Sequence, residues 1–223
     1  MQTHSEENYL KAIYLLGKQS NEKVSVTSLA SALGNNPASV IDMLKKLKEK
    51  KLVEYDKVKG VKLKEIGNKT ALLVIRKHRL WELFLQNKLA YTWDEVHEIA
   101  EQLEHVHHEN LADRLDEFLG FPQYDPHGEA IPDKNGQIES KQHMKLSECK
   151  AGDTIKLTSV INTSVDFLKY LSSRALRLGL KIKIKSVEPF DKTMVVSYNK
   201  RSSESLSLMV CERLLVELVS NER

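Results

Sequence analysis

Cysteine is nearly absent from this chain. The 223 residues contain two, Cys149 and Cys211, far apart and outside any CxxC spacing. That scarcity argues against a disulfide framework and a thiolate zinc site, and it fits a reducing compartment. No apolar run approaches membrane-spanning length, so no membrane association is expected. The first ten residues, MQTHSEENYL, have neither the basic n-region nor the apolar h-region of a secretory leader, and a cytoplasmic location is expected. A large surplus of one charge is also missing. The net charge of +3 does not by itself indicate a nucleic-acid partner, so the distribution of charge along the chain must decide. The length calls for more than one small domain, each with a modest core.

What the chain does have is a crowd of imidazoles and carboxylates in residues 95–115, EVHEIAEQLEHVHHENLADRL. Read as one helix at about 100° per residue, His97, Glu101, Glu104, His105 and His108 share a face. Val96, Ala100, Leu103 and Leu111 fall on another. Such a helix turns an apolar stripe toward a core and presents metal-binding atoms beside it. Thr92-Trp93-Asp94-Glu95 reads as the capping box at its start. Glu101-x-x-Glu104-His105 offers two carboxylates and one imidazole within a turn, a donor set that suits manganese or ferrous iron better than thiolate-loving zinc. The plain alternative is a solvated His/Glu-rich surface. Upstream, residues 69–89 are apolar at helical spacing and carry His78 and Glu82 as an i,i+4 pair. Trp81, Phe84, Leu85 and Trp93 there suit either a dimer face or a core.

Residues 5–66 read as three helices and two short strands. Thr3-His4-Ser5-Glu6 is a capping box ahead of the apolar series Tyr9, Leu10, Ile13, Tyr14 and Leu16. Ser25 caps a second helix that Gly34 ends. Asn36 then caps a third, with Pro37 at its first position, burying Val40, Met43, Leu44 and Leu47. Residues 53–55 and 61–63 alternate as strands around a turn at 56–60. Two helices joined by a tight turn, followed by a β-wing, form a winged helix-turn-helix, whose second helix enters the major groove by its N-terminal end. Pro37, Ala38, Ser39 and Asp42 would face base edges. Lys46 and the wing Lys59 would meet phosphates, within a concentration of lysines at 45, 46, 48, 50, 51, 57 and 59.

Residues 120–140 are rich in Pro, Gly and Asp and read as a loop or linker. Beyond them, residues 154–160, 181–187, 194–199 and 206–209 read as strands, with a helix at 165–177 closed by Gly179. A small SH3-like barrel is expected. The whole is mainly α with a small β component: a winged helix-turn-helix domain at 1–66, a helical metal-binding and dimerisation domain at 67–142, and an SH3-like β-barrel at 143–223.

These three parts in this order resemble the diphtheria-toxin-repressor family of metal-dependent transcription regulators, including its manganese-transport-regulator branch. The segments that carry the likeness are EENYLKAIYLL, ALGNNPASVIDMLKKLKEKKLVEYDKVKGVKL, RKHRLWELFL, EVHEIAEQLEHV and DPHGEAIP. The resemblance implies a homodimeric repressor that binds a palindromic operator when a divalent metal is bound. It also implies a C-terminal domain of the kind found in ferrous-iron transport proteins.

Carried over residue by residue, it places a primary metal site at Glu101, Glu104 and His105 with a fourth donor at the position of Asn8. Manganese-sensing members usually have Asp there and Glu at the position of Glu101, where iron sensors have Cys. Glu101 therefore favours Mn2+ over Fe2+, and Asn8 is a departure. The manganese branch often has another carboxylate three residues later, where this chain has Lys11, so a paired-metal site is incomplete. His78, Glu82 and His97 match the ancillary site of the iron-sensing branch, to which Asp166 is a candidate donor, making two sites per subunit. Without metal, Glu82, Glu101 and Glu104 are expected to repel one another and loosen the packing of the first helix. The rival functions are an iron-responsive repressor, a winged-helix regulator of an organic ligand, and a metallohydrolase. No HExxH or nucleophile motif supports the last.

Overall fold

The computed structural model describes residues 2–20, 23–139, 143–161 and 164–219. They form two compact units. The first comprises Met1–Phe84, Glu98–Gln123 and Ile131–Glu139, and the second Leu85–His97, Tyr124–Ala130 and Ser140–Arg223. No helix among the described residues is long and apolar enough to cross a membrane.

The first unit begins with α1 (His4–Ser20). Its capping box is formed: the Thr3 amide donates to Glu6 Oε2 at 3.1 Å and the Glu6 amide to Thr3 Oγ1 at 3.3 Å. α2 (Val26–Leu33) is capped by Ser25 and ended by Gly34 at φ +63°, a left-handed conformation that glycine adopts without penalty. α3 (Pro37–Glu49) starts at Asn36, whose side chain accepts from the Ser39 amide. β1 (Val53–Asp56) and β2 (Gly60–Leu63) then form the antiparallel wing. Val24 adds a bridge to Val61, and only glycine fits at position 60, because a Cβ there would lie 2.4 Å from the Val24 carbonyl oxygen. Leu10, Leu29, Val40, Leu44, Leu47, Val53 and Val61 are wholly buried in the core of this winged helix.

α4 (Glu65–Leu89) begins earlier than its apolar periodicity suggests and runs through Gly67, where the helix backbone passes so close to the Leu52 carbonyl that a Cβ would be 2.1 Å from its oxygen. The helix expected over 95–115 is two helices, α5 (Val96–Leu103) and α6 (Leu111–Phe118). Residues 106–110 are all exposed, so His107-His108-Glu109-Asn110 has nothing to bury, and Asn110 turns the chain at φ +62°. Arg76 on α4 binds Asp113 at 2.9 Å and Asp116 at 2.8 Å, bracing α6.

The second unit holds a six-stranded antiparallel sheet in the order β3-β8-β4-β5-β6-β7. The strands are β3 (Met144–Lys145), β4 (Thr154–Val160), β5 (Lys181–Val187), β6 (Met194–Tyr198), β7 (Arg201–Leu206) and β8 (Leu214–Leu218). α7 (Val165–Ser173) and the single turn α8 (Leu208–Cys211) complete it. The SH3-like barrel expected from the sequence is an open sheet: β3 and β7 are its edges, with no pairing between them among the described residues. Two further expectations are corrected. Residues 206–209 are not a strand but the end of β7 and the start of α8, and α7 stops at Ser173, ahead of Ala175 at φ +56°. β7 escaped notice because its sequence, RSSESL, has none of the β-branched or aromatic residues that mark a strand. Residues 124–130 are no free linker. Gly128 packs its backbone against β4, and the His127 carbonyl accepts from the Val160 amide at 3.1 Å and from Ser159 Oγ at 2.9 Å. Trp93, one of the aromatics weighed as a dimer face, packs against this unit's core, and Leu85 is buried.

Candidate metal centre and nucleic-acid interface

α1 has two working faces. Tyr9, Leu10 and Ile13 enter the winged-helix core, while Glu7 and Lys11, also buried, belong to a polar cluster with α4 and the end of α5. Asn8 follows Glu7 on α1, and its Oδ1 is buried.

Glu104 is the centre of the cluster. It occupies the turn that ends α5, fully buried, its amide still bonded to the Ala100 carbonyl at 2.9 Å. Its Oε2 accepts from Lys11 Nζ at 2.7 Å and from His78 Nδ1 at 2.6 Å. Lys11 Nζ also reaches Glu101 Oε1 at 2.5 Å and lies 3.4 Å from His78 Nδ1. The other nitrogen of His78 donates to Glu82 Oε1 at 2.9 Å. Burial and the Lys11 ammonium both oppose a charge on His78, but its bonds to Glu104 and Glu82 outweigh them and raise its pKa to about 9. Burial likewise opposes ionisation of Glu104, and His78 and Lys11 overcome it, holding that carboxyl below the usual range. Lys11 and His78 stand between the carboxylates of Glu82, Glu101 and Glu104, so two cations offset the repulsion expected among the three.

His105 Nδ1 lies 2.7 Å from Glu7 Oε2 and donates to that carboxylate; in a neutral ring with this tautomer the lone pair is on Nε2. A carboxylate behind an imidazole is the usual support for a metal-bound histidine. His4 stacks on the same ring at 4.8 Å between centroids, and His107 Nε2 lies 3.5 Å from Glu7. Asn8 Oδ1, Glu104 Oε1 and His105 Nε2 are buried and have no hydrogen-bond partner among the described residues. Two of them, Glu104 Oε1 and His105 Nε2, are 3.6 Å apart. Glu104 Oε1 and His105 Nε2 are donor types that suit a divalent cation of intermediate hardness, and Asn8 Oδ1 is a further buried oxygen on α1.

The structure thus gathers Asn8, His78, Glu82, Glu101, Glu104 and His105 in one unit. His97 is half-buried and Asp166 exposed, and both belong to the second unit. His108, assigned to the same stripe by helical spacing, is exposed and bonds the Glu109 carbonyl instead, because the helix ends before it. Sequence reasoning missed Glu7, although its place four residues before Lys11 on a helix already put the two on one face.

Pro37, Ala38, Ser39 and Asp42 are exposed at the start of α3. Asp42 pairs with Lys45 at 2.9 Å. Lys46 and Lys50 lie 3.0 and 2.7 Å from the buried Glu6. Lys59 is exposed at the wing tip, its amide bonded to Asp56 Oδ1 at 2.8 Å.

Residues 1–61 match the iron dependent repressor N-terminal DNA binding domain, 64–133 the iron dependent repressor metal binding and dimerisation domain, and 144–218 the FeoA domain. A solved manganese-dependent transcriptional repressor in complex with manganese superposes with a TM-score of 0.87 at 33% identity, over 96% of this chain and 99% of that one. The chain belongs to the diphtheria-toxin-repressor family of metal-dependent, DNA-binding transcription regulators. The iron-dependent repressor IdeR of Mycobacterium tuberculosis is 26% identical over 85% of this chain and 87% of its own length. The regulator MntR of Geobacillus kaustophilus is 30% identical over 56% of this chain and 87% of its own. Both the iron-dependent and the manganese-dependent branches of the family are thus represented among its relatives.

Proposed function

We propose that this chain is a manganese-responsive repressor of metal-homeostasis genes that binds a palindromic operator as a homodimer in the cytoplasm, a regulator and not an enzyme. The observation that carries the reading is the set of three unpartnered buried acceptors on Asn8, Glu104 and His105. These residues with Glu101 form the primary site, and their oxygen-rich donor set favours Mn2+, with Fe2+ next. Bound there, a divalent ion would supply the charge that ties α1 to the turn after α5. Because the opposite face of α1 is part of the winged-helix core, that tie orients the DNA-reading helix. His78, Glu82, His97 and Asp166 are assigned to an ancillary site. His78 must give up a proton to serve there, since it now donates from both nitrogens.

Ser39 and Asp42 read base edges, with Pro37 and Ala38 against thymine methyls, while Lys46 and Lys59 meet phosphates. The domains are assigned to residues 1–66, 67–142 and 143–223. Metal and operator must strengthen each other's binding by the same factor. The test is selection of a binding site from random DNA, then titration of the EDTA-treated protein with Mn2+, Fe2+ and Zn2+. Site-specific binding that needs metal, with Mn2+ the best activator, supports the reading. Equal binding in EDTA and in metal overturns it.

A further inference from the structure

The Lys11 nitrogen lies among the carboxylates of the metal cluster, within 2.7 Å of both Glu101 and Glu104. Its side chain is 10% exposed, so the ammonium is nearly stripped of water and depends on those oxygens. The two oxygens of Glu104 are in different circumstances: Oε2 is taken by Lys11 and His78, while Oε1 has no partner and faces His105 Nε2. One carboxylate thus spans two positions, one filled by the Lys11 ammonium and one lined by Glu104 Oε1 and His105 Nε2.

We propose that Lys11 is a tethered cation that holds the second cation position of this cluster, limiting it to one divalent ion where an acidic residue would admit two. This rests on the metal-site reading above and extends it to stoichiometry. The geometry suits a paired site in every other respect. Glu101 Oε1, Glu104 Oε2 and His78 Nδ1 converge on the Lys11 nitrogen, and they are the donor types that bind a hard or intermediate dication. Two ions sharing a carboxylate would be about 3.5–4 Å apart. A positive charge fixed at one of those positions excludes a dication from it and weakens the neighbour's hold on its own.

The experiment uses the full-length, EDTA-treated protein, Mn2+ as the probe, equilibrium dialysis for stoichiometry and electron paramagnetic resonance for coupling between ions. Wild type should bind Mn2+ with uncoupled six-line spectra only. Lys11→Glu should bind one more ion per chain and show the spectrum of an exchange-coupled pair. Lys11→Leu, which removes the cation without adding a donor, should bind its primary ion ~10-fold more tightly than wild type. A coupled pair in wild type overturns the proposal, and this measurement does not depend on any variant folding. It is overturned equally if folded Lys11→Glu gains neither an ion nor coupling. Failure of the underlying site reading looks different: His105→Ala would then bind Mn2+ as wild type does.

Discussion

Replacing Glu104 by Ala tests the cluster as a structural element apart from any role in metal binding. The substitution removes a fully buried carboxylate bonded to Lys11 at 2.7 Å and His78 at 2.6 Å. Breaking a buried ion pair by deleting one partner costs roughly 3–5 kcal/mol, because the other charge stays behind without compensation. Here each cation keeps one partner, Lys11 its bond to the partly exposed Glu101 and His78 its bond to Glu82. The cost therefore falls to the bottom of that range or just below it, about 2–3 kcal/mol, or roughly 5–10 °C in Tm for a chain of this size. His105→Ala strands only Glu7, which retains His107 at 3.5 Å and Lys77 at 3.9 Å, and should be destabilised by about half as much. Both should be measured by urea unfolding in EDTA, alongside Lys11→Met and the double variant Lys11→Met/Glu104→Leu. The double variant should lose less than the sum of its single changes, with a coupling of about 1–3 kcal/mol. If Glu104→Ala unfolds within about 0.5 kcal/mol of wild type, or the double variant is simply additive, the cluster does not hold α1 to α5 in the metal-free protein.

Three further outcomes follow from the same geometry. Glu7→Gln leaves every proposed ligand in place but weakens the support behind His105, so Mn2+ affinity should fall ~10–100-fold with the fold kept; unchanged affinity in dialysis would remove Glu7 from the site. Lys59→Ala should weaken binding to all DNA sequences alike and lower the slope of log K against log salt by about one, and an unaltered slope would take Lys59 out of the interface. Glu6 is buried, which by itself would raise its pKa, but Lys50 and Lys46 bring it down to about 2 from 4.5. A depressed carboxyl contributes stability that is present above its unfolded pKa and lost as pH falls toward the folded value. Unfolding free energies measured from pH 5 to pH 2 should therefore drop more steeply for wild type than for Glu6→Gln, and identical slopes would refute the pairing.

The winged helix was legible from sequence almost to the residue because its signals are local. Ser25, Gly34, Asn36 and Pro37 each fix a helix end through their own backbone or side chain, and the wing alternates with period two. The candidate metal cluster was legible in composition but not in geometry. Uniform helical spacing carried His108 onto the ligand face, whereas the helix stops at Leu103 and Glu104 turns inward to cations on α1 and α4. That turn is decided by partners 26 and 93 residues away in sequence, which no local pattern records. β7 and the single turn α8 were illegible for the same reason: the pairing of RSSESL with β6 is imposed by the sheet and not by the strand's own propensity.

Lys11 was visible as a departure from the manganese-branch pattern, yet its meaning depends on its neighbour. Read position by position, Asn8 and Lys11 are two losses of a carboxylate, and both weaken a metal site. Read together with the structure, they change the charge of α1's inner face by three relative to an Asp and a Glu at those positions. A site with two more anions has to be held against repulsion until metal arrives, so metal binding then gains by relieving it. In this chain Lys11 and His78 have already relieved it. What remains for a dication is the unmet hydrogen-bonding capacity of Asn8, Glu104 and His105, a smaller and more local driving force. Asn8→Asp is the substitution that separates the two designs. It adds an anion beside unpartnered acceptors and should tighten Mn2+ binding while lowering the stability of the metal-free protein. Tighter binding with no loss of metal-free stability would mean that the new charge is screened by Lys11, and the two positions would then have to be treated as one electrostatic unit.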